Sequence, residues 1–247
     1  MVCPNCSAPM EGLSLEGHLG RTVDVDICGS CQALWFDKYE SLQLSAASVL
    51  QLFRIIGQAS GLPAEARSAK VGVKAAVSAF AKCPRCERRL RVMHDMQRSA
   101  RFEYRGCPDN HGRLITFFNF LREKNFIKPL SPAQIEELRS KVRTINCSNC
   151  GAPVDLAHGI TCSHCSSPLS MLDLNQAEDL IAKLRQAGTG PQPVEPAPLA
   201  DAATASRRSE AGFGRFAEAP GWYEQASTAG LVTAAIAAFA AWTGRDT

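Results

Sequence analysis

Aromatic residues are scarce in this sequence, 7% of 247 positions, and no long aliphatic run occurs before its C-terminal end. That shortage argues against a single large core. The apolar residues sit in short stretches broken by cysteine pairs, so several small modules are expected, and modules of that size need covalent or metal staples. The opening MVCPNCSAPM lacks the basic stretch and apolar run of a secretory signal. The chain is therefore expected in the reducing cytoplasm, where cysteines do not persist as disulfides. No Gly-rich phosphate loop, no βαβ setting around a C-x-x-C and no recognisable nucleophile–base pair occur, so no enzyme is expected. A strong charge of one sign is missing too, the formal net charge being +3.

Cysteine is what the chain has. Ten of the eleven fall in five C-x-x-C pairs, and the remaining Cys107 is followed four positions later by His111. A C-x-x-C turn points two sulfurs at one ion, and its backbone amides hydrogen-bond those sulfurs. Gaps of 21 residues (Cys6 to Cys28), 20 (Cys86 to Cys107) and 11 (Cys150 to Cys162) each leave room for a β-hairpin joining two such turns. Three sites follow: Cys3/Cys6/Cys28/Cys31, Cys83/Cys86/Cys107/His111 and Cys147/Cys150/Cys162/Cys165. Zinc, three ions per chain, is the expected cofactor. Iron stays chemically open at the four-thiolate sites. In the middle site the fourth ligand is His94 or His111, and the short spacing from Cys107 selects His111. His94 reads as a surface residue. His18, His158 and His164 face sites already filled by thiolates. Closed sites hold no water for catalysis, so the metal is expected to be structural. Eleven thiolates and three dications would also turn the formal +3 into about −2.

The expected fold class is a set of small metal-stabilised β-hairpin modules, three zinc ribbons, joined by short α-helices. Ribbon 1 spans 1–40, and its Val23, Val25 and Ile27 alternate with Asp24 and Asp26 as in a half-buried strand. An amphipathic helix is expected over 41–57, started by Asp37 and Glu40 as a capping box and carrying Leu42, Ala46, Val49, Phe53 and Ile56. A linker covers 58–80 and ribbon 2 covers 81–118. The connector 119–143 should contain a helix capped by Ser131, with Pro132 at its first position and Gln134 closing the box. Ribbon 3 spans 144–173, and a helix over 174–187 opens with Asn175 and Glu178. Residues 188–221, rich in Pro, Ala, Gly and Ser, are expected to be a disordered linker. Residues 222–244 are expected to form an apolar helix.

The first forty residues resemble the bacterial zinc ribbons grouped with the transcription factor IIB type. In that family a CPxC turn leads to a strand, a second C-x-x-C and an aromatic–Asp–x–x–Glu tail. Here CPNC stands at 3–6, VDVDICGSC at 23–31 and LWFDKYE at 34–40, with Trp35, Asp37 and Glu40 matching the tail. Gln32 and Ala33 replace the usual glycines after the last cysteine. Ribbon 2 looks like a divergent relative and ribbon 3 like a generic ribbon. The resemblance implies a fold rather than an activity.

Two functions from different classes remain. A scaffold or adaptor with a protein partner suits several small modules of mixed charge. Nucleic-acid binding would fall to ribbon 2, through Arg85, Arg88, Arg89, Arg91, Arg98, Arg101, Tyr104 and Arg105. Ribbon 1 opposes that reading with six acids against Arg21 and Lys38, and residues 144–173 carry no Lys or Arg. The uncharged residues 225–244 are long enough to cross a bilayer, but alanine, Gln225, Ser227 and three threonines dilute them. A tail anchor holding the ribbons at the inner membrane face and an alanine-rich helix packed on a ribbon are both open.

Overall fold

The computed structural model describes residues 1–38, 40–60, 81–97 and 100–173, with Gln176, Asp179, Ala182, Ser227, Gly230, Leu231, Val232 and Ala235 beyond them. Ribbon 1 forms β1 (Glu11–Glu16), β2 (Thr22–Cys28) and β3 (Ala33–Asp37). The alternation in β2 holds, with Val23, Val25 and Ile27 buried and Asp24 outward. Ribbon 2 repeats the plan with β4 (Arg91–Gln97), β5 (Ala100–Gly106) and β6 (Gly112–Thr116).

The expectation of three separate ribbons fails at the first two. Strands β3 and β6 pair antiparallel, and the six strands form one sheet in the order β1-β2-β3-β6-β5-β4. The two ribbons are thus arranged about a local dyad between their third strands. A lone three-stranded ribbon would leave that third strand as an open edge, and each ribbon covers the edge of the other. Close approach depends on Gly112, opposite Asp37 in the ladder. A Cβ there would lie 2.5 Å from the Phe36 carbonyl oxygen and 2.7 Å from the Trp35 ring.

Pleating divides the side chains of this sheet between two cores. One row, Leu13, Val25, Phe36 and Arg113, faces the larger core. The opposite row runs Asp26, Trp35, Leu114, Arg105 and Val92, and its centre joins Cys3, Cys28, Cys83 and Cys107 in a second cluster. Trp35, 1% exposed, therefore lies between the two cysteine sites.

The helix expected over 41–57 is two helices, α1 (Glu40–Gln43) and α2 (Ala46–Ser60). Half of the proposed capping box forms, the Asp37 N–H donating to Glu40 Oε2 at 2.7 Å. The break has a tertiary cause. Leu44 bridges to Gly17, and the Ser45 N–H donates to the Glu16 carbonyl at 3.1 Å. Ser45 Oγ then accepts the Ser48 N–H at 3.2 Å, restarting the helix. Leu42 falls outside the apolar stripe and is 57% exposed, whereas Leu44 is buried. Val49, Leu52, Phe53 and Ile56 carry α2 into the core, where α2 packs on β1. Of the expected linker, residues 58–60 complete α2 and 61–80 lie outside the described residues.

The connector holds more structure than expected: α3 (Phe117–Glu123), β7 (Ile127–Pro129) and α4 (Pro132–Lys141). In α4 the Ser131–Gln134 box forms in both directions, with Pro132 at the first turn. Thr116 caps α3, its hydroxyl accepting the Asn119 N–H at 3.2 Å. Phe53 packs on Phe126 with centroids 5.5 Å apart, and Phe36 on Phe120 at 5.8 Å, so the connector closes the core under ribbon 1.

Ribbon 3 differs from expectation. No hairpin joins its two cysteine pairs among the described residues. Instead β8 (Thr144–Asn146) and β9 (Pro153–Asp155) form a hairpin around the Cys147–Cys150 turn itself, and β10 (Ser170–Leu172) pairs with β7. Residues Gln176, Asp179 and Ala182 are helical, while the Asn175 and Glu178 box and the linker 188–221 lie outside the described residues. Near the C-terminus Leu231, Val232 and Ala235 are buried in the larger core, and the Val232 N–H donates to Ser148 Oγ at 3.2 Å. Among the described residues no helix is long and apolar enough to cross a membrane.

A buried ion cluster ties α1 and α3 to β6. Glu123 is 0% exposed and meets Arg113 at 2.5 Å and Lys124 at 3.1 Å, while Ser41 donates to it at 3.1 Å. Removing the acid alone would leave two largely buried cations without a counter-charge. Glu123→Ala is expected to destabilise the fold by about 3–5 kcal/mol in urea unfolding, with Glu123→Gln milder. Gly112→Ala is expected to cost about 1–3 kcal/mol in the same measurement, because β3 and β6 must separate to admit the methyl group.

Candidate metal centres

Four of the cysteine turns share one backbone geometry, built by the chain alone. The N–H four residues after the first cysteine donates back to that cysteine's carbonyl: Ser7 to Cys3 at 2.9 Å, Glu87 to Cys83 at 2.8 Å, Gly151 to Cys147 at 2.7 Å and Ser166 to Cys162 at 2.8 Å. Those residues have φ of 60°, 58°, 78° and 57°. The first cysteine's N–H in turn donates to the carbonyl of Ala8, Arg88, Ala152 or Ser167. The result is a closed loop with both sulfurs on one side. Gln32, where the resembling family has glycine, takes the left-handed conformation as well, with φ of 50°. Asn110 does so in the Cys107–His111 turn at 61°.

The turns meet as the spacing predicts. Each of the three groups of four places its ligand atoms within 4.8 Å of one another. In ribbon 1 the Sγ atoms of Cys6 and Cys28 are 3.6 Å apart and those of Cys3 and Cys31 are 3.9 Å apart. In ribbon 2 Cys86 and Cys107 are 3.6 Å apart, and His111 Nδ1 lies 4.0 Å from Cys83 and 3.6 Å from Cys107. In ribbon 3 the pairs Cys147–Cys165 and Cys150–Cys162 are both at 3.6 Å. A tetrahedral ion with bonds of about 2.3 Å requires ligand edges of about 3.8 Å, so the spacing suits a metal ion. It exceeds the disulfide length of about 2.05 Å, and all eleven cysteines are free. His94 lies exposed on β4, apart from the cluster, leaving His111 as the histidine ligand.

Sulfurs this close suit a cation. Without one, hydrogen bonds from Cys28 and Cys31 hold the Cys3 thiol far below its usual range, while the bond to Cys3 pushes Cys28 up. Cys31 is pushed up by its bonds to Cys28 and Cys3. In ribbon 3 Cys165 is held low by Cys147, and Cys147 is pushed up by the same bond. Four thiolates at this spacing become compatible only when a dication balances them.

The surroundings of the three sites differ in a way the ligand spacing did not reveal. In ribbon 1 Asn5 Nδ2 donates to Cys31 Sγ at 3.2 Å, and in ribbon 3 Asn149 Nδ2 reaches Cys165 Sγ at 3.7 Å. Both asparagines occupy the position before the second cysteine, C-x-N-C, and both serve the fourth sulfur. Ribbon 2 has Arg85 there and His111 as its fourth ligand. A ring nitrogen bound to metal accepts nothing, so Arg85 turns outward and forms a two-point ion pair with Asp37, its Nε at 3.1 Å. Asp37 also accepts the Trp35 indole N–H at 3.0 Å. The aromatic–Asp–x–x–Glu tail of ribbon 1 thus closes over ribbon 2. The repeated C-x-N-C against C-x-R-C was the available sequence signal for this difference.

Of the basic residues expected at a nucleic-acid surface, Arg85 and Arg88 are engaged by Asp37 and Asp109. Tyr104 lies under the Arg113 guanidinium, 4.8 Å from ring centre to Cζ. Arg101 and Arg105 share one sheet face and Arg91 lies on the other, while Arg89 sits in the turn before β4. Arg98 lies outside the described residues. The expected basic patch is therefore divided.

No protein-family model, no curated protein and no solved structure matches this chain. The three clusters define it as a protein with three zinc-ribbon-like metal sites.

Asn5→Ala should weaken metal binding at the first site about 10–100-fold in competition with a chromophoric chelator, as loss of a ligand's hydrogen-bond partner does. Arg85→Ala should lower the second site's affinity far less than Asn5→Ala lowers the first site's, because Arg85 Nε and Nη2 serve Asp37 rather than a sulfur.

Proposed function

We propose that the protein is a non-catalytic zinc-ribbon scaffold whose three zinc ions are structural and whose surfaces bind a protein partner. The carrying observation is that each cluster offers four protein ligands within 4.8 Å, which completes a tetrahedron and leaves no position for water or substrate. Zinc is the ion best matched to three thiolates and one imidazole in the middle site. When bound, the ion supplies folding free energy rather than chemistry. The chain's own groups orient the sulfurs, through the turn amides, Asn5 and Asn149.

Ribbon 1 is assigned to the transcription factor IIB-type ribbons on its CPNC turn, its second C-x-x-C and the Trp35–Asp37–Glu40 tail. That assignment supports the fold, while the scaffold reading rests on the charge pattern. Arg85 and Arg88 are engaged in ion pairs, and the other arginines described in ribbon 2 do not share one face. Asp24 and Asp26 occupy the sheet face on which Arg101 and Arg105 lie, at the opposite end of the strand order. A duplex or single strand tracking this face would meet acid as well as base. At the C-terminus, burial of Leu231, Val232 and Ala235 beside ribbon 3 supports a packed helix rather than an inserted one, in keeping with a cytoplasmic protein.

Metal analysis of the full chain should return three zinc ions; iron at the four-thiolate sites would overturn the metal assignment. Binding to single- and double-stranded nucleic acid should stay weak throughout a salt series. Tight binding that falls steeply with salt, with a log–log slope of several, would replace the scaffold reading by nucleic-acid recognition through ribbon 2.

A further inference from the structure

The outer edges of the six-stranded sheet are not alike. Strand β1 ends in Glu11 and Glu16, carries no base, and lies beside α2. Like charges on such an edge discourage pairing. Among the described residues strand β4 pairs only with β5, and it is exposed along nearly its whole length. Its Val92, Met93 and Met96 are 42%, 43% and 59% exposed, which makes this edge apolar as well as open. A cleft of about 440 Å³ lies beside it, with Leu42, Met93, Phe102 and Tyr104 among its lining residues.

The β4 sequence is self-complementary. Arg91, Met93 and Asp95 project from one face at successive positions, and neither Arg91 nor Asp95 joins an ion pair among the described residues. Antiparallel pairing of two β4 strands about Met93 sets each Arg91 opposite the other copy's Asp95. Met93 then meets Met93, and Val92 meets His94 on the other face. Pairing one step along, about His94, would instead oppose Met93 with Asp95 and Arg91 with Gln97, so charge selects the first register. The mode of association has a precedent within the chain, where β3 and β6 join two ribbons about a local dyad.

We propose that β4 is a homodimer interface, through which two copies of this chain form a continuous twelve-stranded sheet about a dyad at Met93. Such an interface is isologous, so each substitution acts twice. It goes beyond the scaffold reading and does not depend on the identity of the partner bound elsewhere.

Sedimentation of the metal-loaded full chain at low ionic strength should show a monomer–dimer equilibrium. Arg91→Asp and Asp95→Arg should each weaken self-association about tenfold or more, by setting like charges opposite one another twice. The double variant Arg91→Asp/Asp95→Arg should restore the dimer. An equimolar mixture of the two single variants should form a heterodimer, since one then presents two acids and the other two bases. Circular dichroism and metal content, unchanged in all of them, would confirm that these exposed positions leave the fold intact. A monomer at all concentrations, a dimer indifferent to both single variants, or growth beyond the dimer would each overturn the proposal.

Discussion

Antiparallel pairing of β3 with β6 is the contact on which the rest of the described structure depends. Each ribbon by itself is a three-stranded sheet of about forty residues or fewer, too small to bury a core without a metal. Pairing the third strands puts Leu34 and Phe36 beside Ile115 on one face, and Trp35 beside Leu114 on the other. Neither arrangement exists within a single ribbon. Every reinforcement of the joint crosses this seam: the Asp37–Arg85 pair on the metal side, and Glu123 with Arg113, Lys124 and Ser41 on the helical side. Glu123 has the largest leverage. Burial alone would push Lys124 toward its neutral form, and the adjacent carboxylate opposes that.

Loaded with dications, the three sites would carry different charge, and their neighbours fit that difference. A dication with four thiolates leaves a net charge of −2, which an amide N–H aimed at a sulfur relieves. With three thiolates and an imidazole the charge is −1, and the need is smaller. Asn5 and Asn149 stand beside the first kind of site, and among the described residues no such side-chain amide stands at the second. The same position in ribbon 2 is thereby released to serve another purpose, and Arg85 fastens the ribbons together. One change of ligand from cysteine to histidine is coupled in this way to the geometry of the sheet.

What was legible in the sequence was local. A C-x-x-C turn needs only a few residues, so the grouping of all twelve side chains, His111 among them, could be read from spacing. The Ser131–Gln134 box was legible for the same reason. The pairing of β3 with β6 was not, because it joins residues about eighty positions apart and leaves no periodic mark. Nor was the break after Gln43, which the Glu16 carbonyl and Gly17 impose from another strand. Leu42 and Leu44 show the consequence: identical side chains two positions apart exchange roles once the helix is interrupted. In ribbon 3 the eleven-residue gap was read by analogy with the longer gaps. Its partner strand came instead from the connector, at Ile127–Pro129.

A shared sheet also changes what metal binding means at the first two sites. Separate ribbons on a flexible linker would load independently, each folding on its own ion. Here β3 begins one residue beyond Cys31, after Gln32, and β6 follows directly on His111. An ion at the first site orders the strand that templates β6, and an ion at the second orders the strand that templates β3. The ladder between them is therefore the physical element through which each site biases the other, and such coupling is reciprocal. Ribbon 3 joins through the larger core it shares with ribbon 1 and through shorter backbone ties. Thr116 donates to Asn149 Oδ1 at 3.2 Å, which connects the end of β6 to the asparagine beside Cys165. The backbone pairing of β10 with β7 adds the second tie. The strength of coupling should then fall in the order of these contacts, a full strand ladder between the first two sites and a short one, with a hydrogen bond, to the third.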